Sequence, residues 1–147
     1  MNHILVAIDF SEVTPEVMSK AVMLCKALGG ELRILHVDDS APYRYSPGDE
    51  SESASWATED RAISKKNSLE PIQSRLASEQ IEAEYKLLTG PAVDNILAEA
   101  RTFNADIIVI GAPQHGKFYH LLFGDTIESL IHKSRCPILI VPFRSNT

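Results

Sequence analysis

The sequence predicts a single-domain, doubly wound α/β sandwich in which five strands alternate strictly with four helices. Short apolar runs of strand length alternate with stretches that carry apolar residues at helical spacing. Most joins between them are short, so each strand–helix–strand unit closes right-handed and its strands lie parallel. The run Ile107-Ile108-Val109-Ile110 consists of β-branched residues only, as in a strand covered on both faces.

His3-Ile4-Leu5-Val6-Ala7-Ile8-Asp9 is a short apolar strand that ends in a carboxylate. A loop follows, and Thr14-Pro15-Glu16 opens a helix, with Thr14 as N-cap, Pro15 at the first helical position and Glu16 in the first turn. Val17, Met18, Ala21, Val22, Cys25 and Leu28 form its apolar stripe. Gly29-Gly30 ends it, since glycine accepts the left-handed conformation after a helix. Glu31 to Val37 is the second strand. From Asp38 to about Ala57 neither period is present, and Pro42, Pro47, Gly48 and several serines mark a long surface loop. Its place after a strand suits it to act as a lid over a ligand.

A second helix is expected from about Ala57 to Ser78, with Ala62, Leu69, Ile72 and Leu76 on one face. Pro71 should kink it or split it. Ile81 to Leu87 alternates apolar and polar, as in a strand exposed on one face or at a sheet edge. Thr89-Gly90-Pro91 turns into a third helix whose stripe is Val93, Ile96, Leu97, Ala100 and Phe103. The fourth strand runs from Asp106 to Ile110 and feeds a glycine-punctuated loop. A helix starts at Gly124-Asp125-Thr126, lined by Ile127, Leu130 and Ile131, and Ser134-Arg135-Cys136-Pro137 breaks it. Ile138 to Pro142 is the fifth strand.

A length of 147 residues fits one domain. The net charge of −6 argues against non-specific binding of nucleic acid or anionic membrane. Arg61, Lys65 and Lys66 cluster, but flanking acids make them a solvated helix face. Cys25 and Cys136 are far apart and lack metal or CxxC spacing, so both read as buried thiols. No signal-like segment and no apolar run of spanning length is present, so a soluble, cytoplasmic protein is expected.

Six pieces carry a family resemblance. They are His3 to Ser11, Leu35-His36-Val37, Gly90-Pro91-Ala92, Ala105 to Gly111, the spaced Gly124, and Cys136 to Pro142. In this order and spacing the chain resembles the universal stress protein A family over almost its whole length. The resemblance implies the adenine nucleotide alpha hydrolase-like fold with strand order 3-2-1-4-5. The switch point then lies between the first and fourth strands, where an open α/β sheet holds a ligand.

Many members of that family bind ATP or a related adenine nucleotide there. The resemblance implies a site of Ala7, Ile8 and Asp9, with Asp9 on the adenosine part, and of Val37, whose backbone would hold the adenine edge. Ile110 and Gly111 follow at the end of the fourth strand, then Gln114, Gly116, Gly124, Asp125 and Thr126 from the phosphate loop. Two positions depart from the family's pattern: Gln114 replaces its middle glycine and Asp125 its serine or threonine. Glycines there let backbone N–H groups approach phosphate, so Gly116 would supply a displaced bend. Asp125, with Glu128 three residues on, reads as a capping-box variant and would repel a triphosphate unless a cation intervened. Thr126 can still donate a hydroxyl. AMP, or ATP bridged by magnesium, therefore fits more easily than free ATP.

Several polar residues have two readings. His115, Lys117 and His120 are exposed loop residues or phosphate contacts. Asp9, Asp38 and Asp39 are solvated loop acids or a magnesium site. Asp9 has a further alternative, as a carboxylate that orders its loop. His36 packs in its strand, His3 lies at a strand edge, and His132 suits the negative end of a helix. No Walker loop, nucleophile elbow or zinc helix motif is present, so slow ATP hydrolysis is the most catalysis expected. The expected function is a stress-response regulator that binds an adenine nucleotide; the alternative is a dimeric scaffold of the same fold that binds none. The family also implies a homodimer through the fifth strand, at Ile138, Leu139, Ile140 and Val141, since an apolar sheet edge calls for a partner.

Overall fold

The structure, a computed structural model, describes residues 2–38, 69–112 and 124–142. In chain order the elements are β1 (His3–Ile8), α1 (Thr14–Leu28), β2 (Glu31–Asp38), α2 (described over residues 69–78), β3 (Ala83–Thr89), α3 (Ala92–Phe103), β4 (Ile107–Ala112), α4 (Gly124–Lys133) and β5 (Ile138–Pro142). The sheet order is β3-β2-β1-β4-β5, and every neighbouring pair is parallel. This is the doubly wound sheet expected from the sequence.

Strand alternation sorts the core into two layers. Ile4, Val6, Ile8, Leu32, Ile34, Val109 and Val141 face α1 and α2. Leu5, Leu35, Ile108 and Ile110 face α3 and α4, where Ile96, Phe103 and Leu130 meet them. Both faces of β1 and β4 are thereby covered, which is why these strands read as unbroken apolar runs.

The second layer is closed beside β2 and β3 by charge. Arg33 gives Nε–H and Nη2–H bonds to Glu84 Oε2 at 3.0 and 2.6 Å, and its Nη1 lies 3.3 Å from Glu99 Oε2 on α3. Lys86 Nζ also reaches Glu99, at 3.3 Å. The Arg33 guanidinium stacks over the Phe103 ring, 4.3 Å from its centroid. On the other layer, Lys26 pairs with Glu79, tying α1 to the end of α2.

Several local expectations are corrected. The N-cap of α1 is Val13, not Thr14, and no side chain caps it. The Thr14 amide bonds Ser11 O at 3.1 Å, so this turn is already closed by backbone and the Thr14 side chain is buried. Strand β3 starts two residues later than expected, at Ala83, because Gln80 is left-handed and the Ile81 amide still bonds Leu76 O. β3 is an edge strand, as its alternation predicted. β4 extends past Ile110 through Gly111 and Ala112. Ile131 is 55 % exposed rather than lining α4, because Leu130 takes the inward direction. α2 runs through Pro71, and the kink or split expected around it involves residues outside the described ones.

The cysteines differ from each other. Cys25 is buried and its Sγ–H donates to Gly30 O at 3.1 Å, whereas Cys136 is only half-buried, against expectation. Burial pushes the Cys25 thiol pKa up, opposed in part by the Gly30 backbone. Cys25 is thus held as the unreactive thiol. In native protein at pH 8, a thiol reagent such as DTNB should modify Cys136 first. Cys25 should react fast only after denaturation. Equal rates at both would contradict this.

Candidate functional site

The crevice forms because the chain leaves β1 in two directions. α1 carries it to β2 on one side, and β4 arrives on the other side by way of α3. The carboxyl ends of β1 and β4 therefore diverge, with Ala7 opposite Ile110 as their last paired residues. Ala7, Ile8, Asp9, Ile110 and Gly111 all lie at this end of the sheet. Val37 joins them on β2, one residue beyond the last β1 partner, His36. β2 continues to Asp38, while β1 stops at Ile8, so Val37 has no paired residue on β1.

The floor is a tightly tied loop. Asp9 Oδ1 accepts the Ser11 N–H at 2.9 Å, so this carboxylate does order its loop. Its other oxygen makes no bond among the described residues. Phe10 is left-handed, with φ 58°, a costly conformation for an aromatic residue. Its ring is held by His36, centroid to centroid 4.7 Å. His36 Nδ1 lies 2.9 Å from Ile8 O, and a carbonyl only accepts, so Nδ1 carries the proton. Among the described residues, the hydroxyls of Ser11 and Thr14 are buried there without a hydrogen-bond partner.

Sequence reasoning missed Phe10, Ser11, Thr14 and His36 as parts of this floor. An Asp-Phe-Ser turn directly after a strand was the available signal, but a left-handed Phe has no signature in composition or periodicity.

Gly111 has a packing reason to be glycine. A Cβ there would stand 2.5 Å from Val13 Cγ1 and 2.8 Å from Val17 Cγ2. The start of α1 presses onto β4 at this point, and only a residue without Cβ allows it.

Of the remaining expected site residues, Gly124, Asp125 and Thr126 form the start of α4, as anticipated, with no side-chain positions described. Gln114 and Gly116, with His115, Lys117 and His120, lie outside the described residues, as do Asp39 and the loop from 39 to 57. Among the described residues no three carboxylate, imidazole or thiol side chains converge as metal ligands. The Asp38 carbonyl accepts the Gly90 N–H at 3.1 Å, tying the end of β2 to the turn before α3.

The profile of the universal stress protein family matches residues 1–142. The chain belongs to the universal stress protein family. Among its relatives is universal stress protein YxiE of Bacillus subtilis, 29 % identical over 145 residues, with 95 % of this chain and 98 % of the relative covered. Among solved structures, that of hypothetical protein MJ0577 superposes with a TM-score of 0.81 at 26 % identity, covering 99 % of this chain and 98 % of the other. A universal stress protein of Archaeoglobus fulgidus, solved in complex with dAMP, shares the fold with a TM-score of 0.66 at 22 % identity, covering 96 % and 98 %. This universal stress protein thus has the adenine nucleotide alpha hydrolase-like fold, with the ends of β1 and β4 at its switch point.

Proposed function

We propose that this universal stress protein is a cytoplasmic stress-response regulator that binds an adenine nucleotide between the ends of β1 and β4. The observation that carries the reading is the end of β2, where Val37 lies one residue past the last β1 partner, together with the Asp9 oxygen that makes no bond among the described residues. An adenine edge needs a backbone donor and acceptor, and a ribose hydroxyl needs an acceptor such as a carboxylate. The buried Ser11 and Thr14 hydroxyls add polar atoms under the same floor. The dAMP complex of the Archaeoglobus fulgidus protein supports the choice of an adenine nucleotide. Gln114 and Asp125 favour AMP, or ATP with magnesium, over free ATP. Gly124 and Thr126 would contribute from the start of α4. The crevice's own residues bind and orient the ligand, and none of them is assigned a step in its hydrolysis.

Isothermal titration with ATP, ADP and AMP, with and without magnesium, tests this. Binding in the micromolar range is expected, weakened about tenfold or more in Asp9→Ala, which loses a charge-assisted bond. No heat with any nucleotide, and none co-purified, would leave the dimeric scaffold as the reading.

The two sheet edges support a homodimer through β5. β3 carries Glu84 and Lys86 along its length, charges that discourage pairing. β5 reads Ile-Leu-Ile-Val-Pro without a charge, and Ile140 is 36 % exposed. Light scattering should give about twice the 16.3 kDa chain mass at micromolar protein. Ile140→Lys should shift it to monomer with the fold intact. A wild-type monomer at that concentration would refute the dimer.

A further inference from the structure

We propose a second binding site, at the opposite end of the sheet from the crevice, for a small amphiphilic anion: an oxyanion head on a compact apolar body. A cavity of about 280 Å³ opens between the last turns of α3 and the turn from α4 to β5. It lies just before β4 and β5 begin, at the amino end of the sheet, whereas Asp9 and Val37 sit at the carboxyl end.

The chemistry of its lining is one-sided. Arg101, Lys133 and Arg135 contribute three cations, and no carboxylate lines it. In a chain of net charge −6 this is a local reversal of sign. None of the three pairs with a carboxylate among the described residues. Three like charges around one opening favour the approach of an anion.

Helix ends explain only part of this. Arg101 lies in the last turn of α3 and Lys133 in that of α4, where cations suit the dipole. Arg135 lies beyond α4 and has no such role. Some carbonyls of these turns are also already served by backbone: the Ala105 amide bonds Ala100 O at 2.8 Å, and the Ser134 amide bonds Leu130 O at 2.8 Å.

The lining is mixed, polar and apolar in about equal measure. Its apolar part comes from Leu97, Ala100 and Ala105, which pack against the second core layer. The turn that carries Arg135 is braced, with Ser134 Oγ–H donating to Cys136 O at 2.8 Å and accepting the Cys136 N–H at 3.2 Å. Two guanidinium groups on a braced frame favour a planar or tetrahedral oxyanion, held through paired N–H bonds. The volume admits a ligand about the size of a substituted benzene, below the usual drug-sized range.

The test uses the full chain labelled with ¹⁵N and titrated with phenyl phosphate, phenylacetate, inorganic phosphate and benzyl alcohol. The two aromatic anions distinguish a phosphate from a carboxylate head. Saturable shifts at the amides of Ala105, Ser134 and Cys136 are expected with at least one of them, at about millimolar affinity or tighter. Asp9 and Val37 should stay unmoved, which keeps this outcome separate from the fate of the nucleotide crevice. The double variant Arg101→Gln/Arg135→Gln should weaken binding about tenfold or more. Both arginines are exposed, so the variant retains the fold, as its own spectrum will show. The proposal fails if no saturable shift occurs at the cavity or if the double variant binds equally well. Equal binding of benzyl alcohol, or of inorganic phosphate, overturns the amphiphilic anion as the ligand class.

Discussion

Gly111→Ala should destabilise the protein by about 2–3 kcal/mol, although it adds one methyl group. The added carbon would stand 2.5 Å from Val13 Cγ1, inside van der Waals contact, with Val17 Cγ2 next at 2.8 Å. Gly111 is buried in β4, and Val13 and Val17 are fixed at the start of α1 by the Val17 N–H to Val13 O bond of 3.0 Å. Neither side yields easily, so the strain spreads into the layer between sheet and α1. For a domain of this size the melting midpoint should fall by about 5–10 °C.

A double-mutant cycle identifies the cause. Val13→Ala alone opens a small cavity and costs about 1.5–3 kcal/mol. Combined with Gly111→Ala, it makes room for the new methyl, so the double variant should be more stable than the sum of the single effects by about 1 kcal/mol or more. A melting midpoint for Gly111→Ala within about 1 °C of wild type would refute the packing argument. The result also governs how nucleotide data are read. Lost binding in a Gly111 variant cannot be ascribed to phosphate approach, because the same change disturbs the floor of the crevice; Asp9→Ala is the cleaner probe.

Glu99→Ala should cost about 2–4 kcal/mol, because it strands Arg33 and Lys86 beside each other. The side chains of Arg33 and Glu99 are each only 12 % exposed, and Glu99 is the anion that both cations share. Glu84 stays on Arg33, but its side chain is 66 % exposed and its attraction is weakened by water. The loss should therefore be smaller than for a lone buried pair and much larger than for a surface pair. Replacing the partners together, as Arg33→Met with Glu99→Leu, should restore most of the stability, since an apolar pair of similar volume avoids desolvation. Chemical denaturation of the wild type and the two variants measures both effects. A Glu99→Ala loss below about 0.5 kcal/mol would mean that the network is solvated and contributes little.

Much of the architecture was legible in the residues themselves. The apolar runs of β1, β2, β4 and β5 and the glycine stop after α1 appear where periodicity and turn chemistry placed them, because these signals act within a few residues. Element ends were less legible: the backbone closes the first turn of α1 without the Thr14 side chain, and β3 waits for the end of α2 to unwind. The strand order came from family resemblance, since no local pattern states which strands pair.

The candidate site divides in the same way. Asp9, Val37 and Gly111 could be named from motif and position. Why Gly111 must lack a Cβ depends on Val13 and Val17, nearly a hundred residues earlier in the chain. The Arg33 network and the cavity of Arg101, Lys133 and Arg135 were equally invisible, because their members come from elements that meet only when the sheet is wound. What the amino-acid sequence determined by itself was the set of elements and most of their inward faces, Leu28 and Ile131 excepted, since helix and strand periods are written in neighbouring residues. What only the tertiary structure decided was which side chains from distant elements touch, since close packing and charge pairing depend on distances through space.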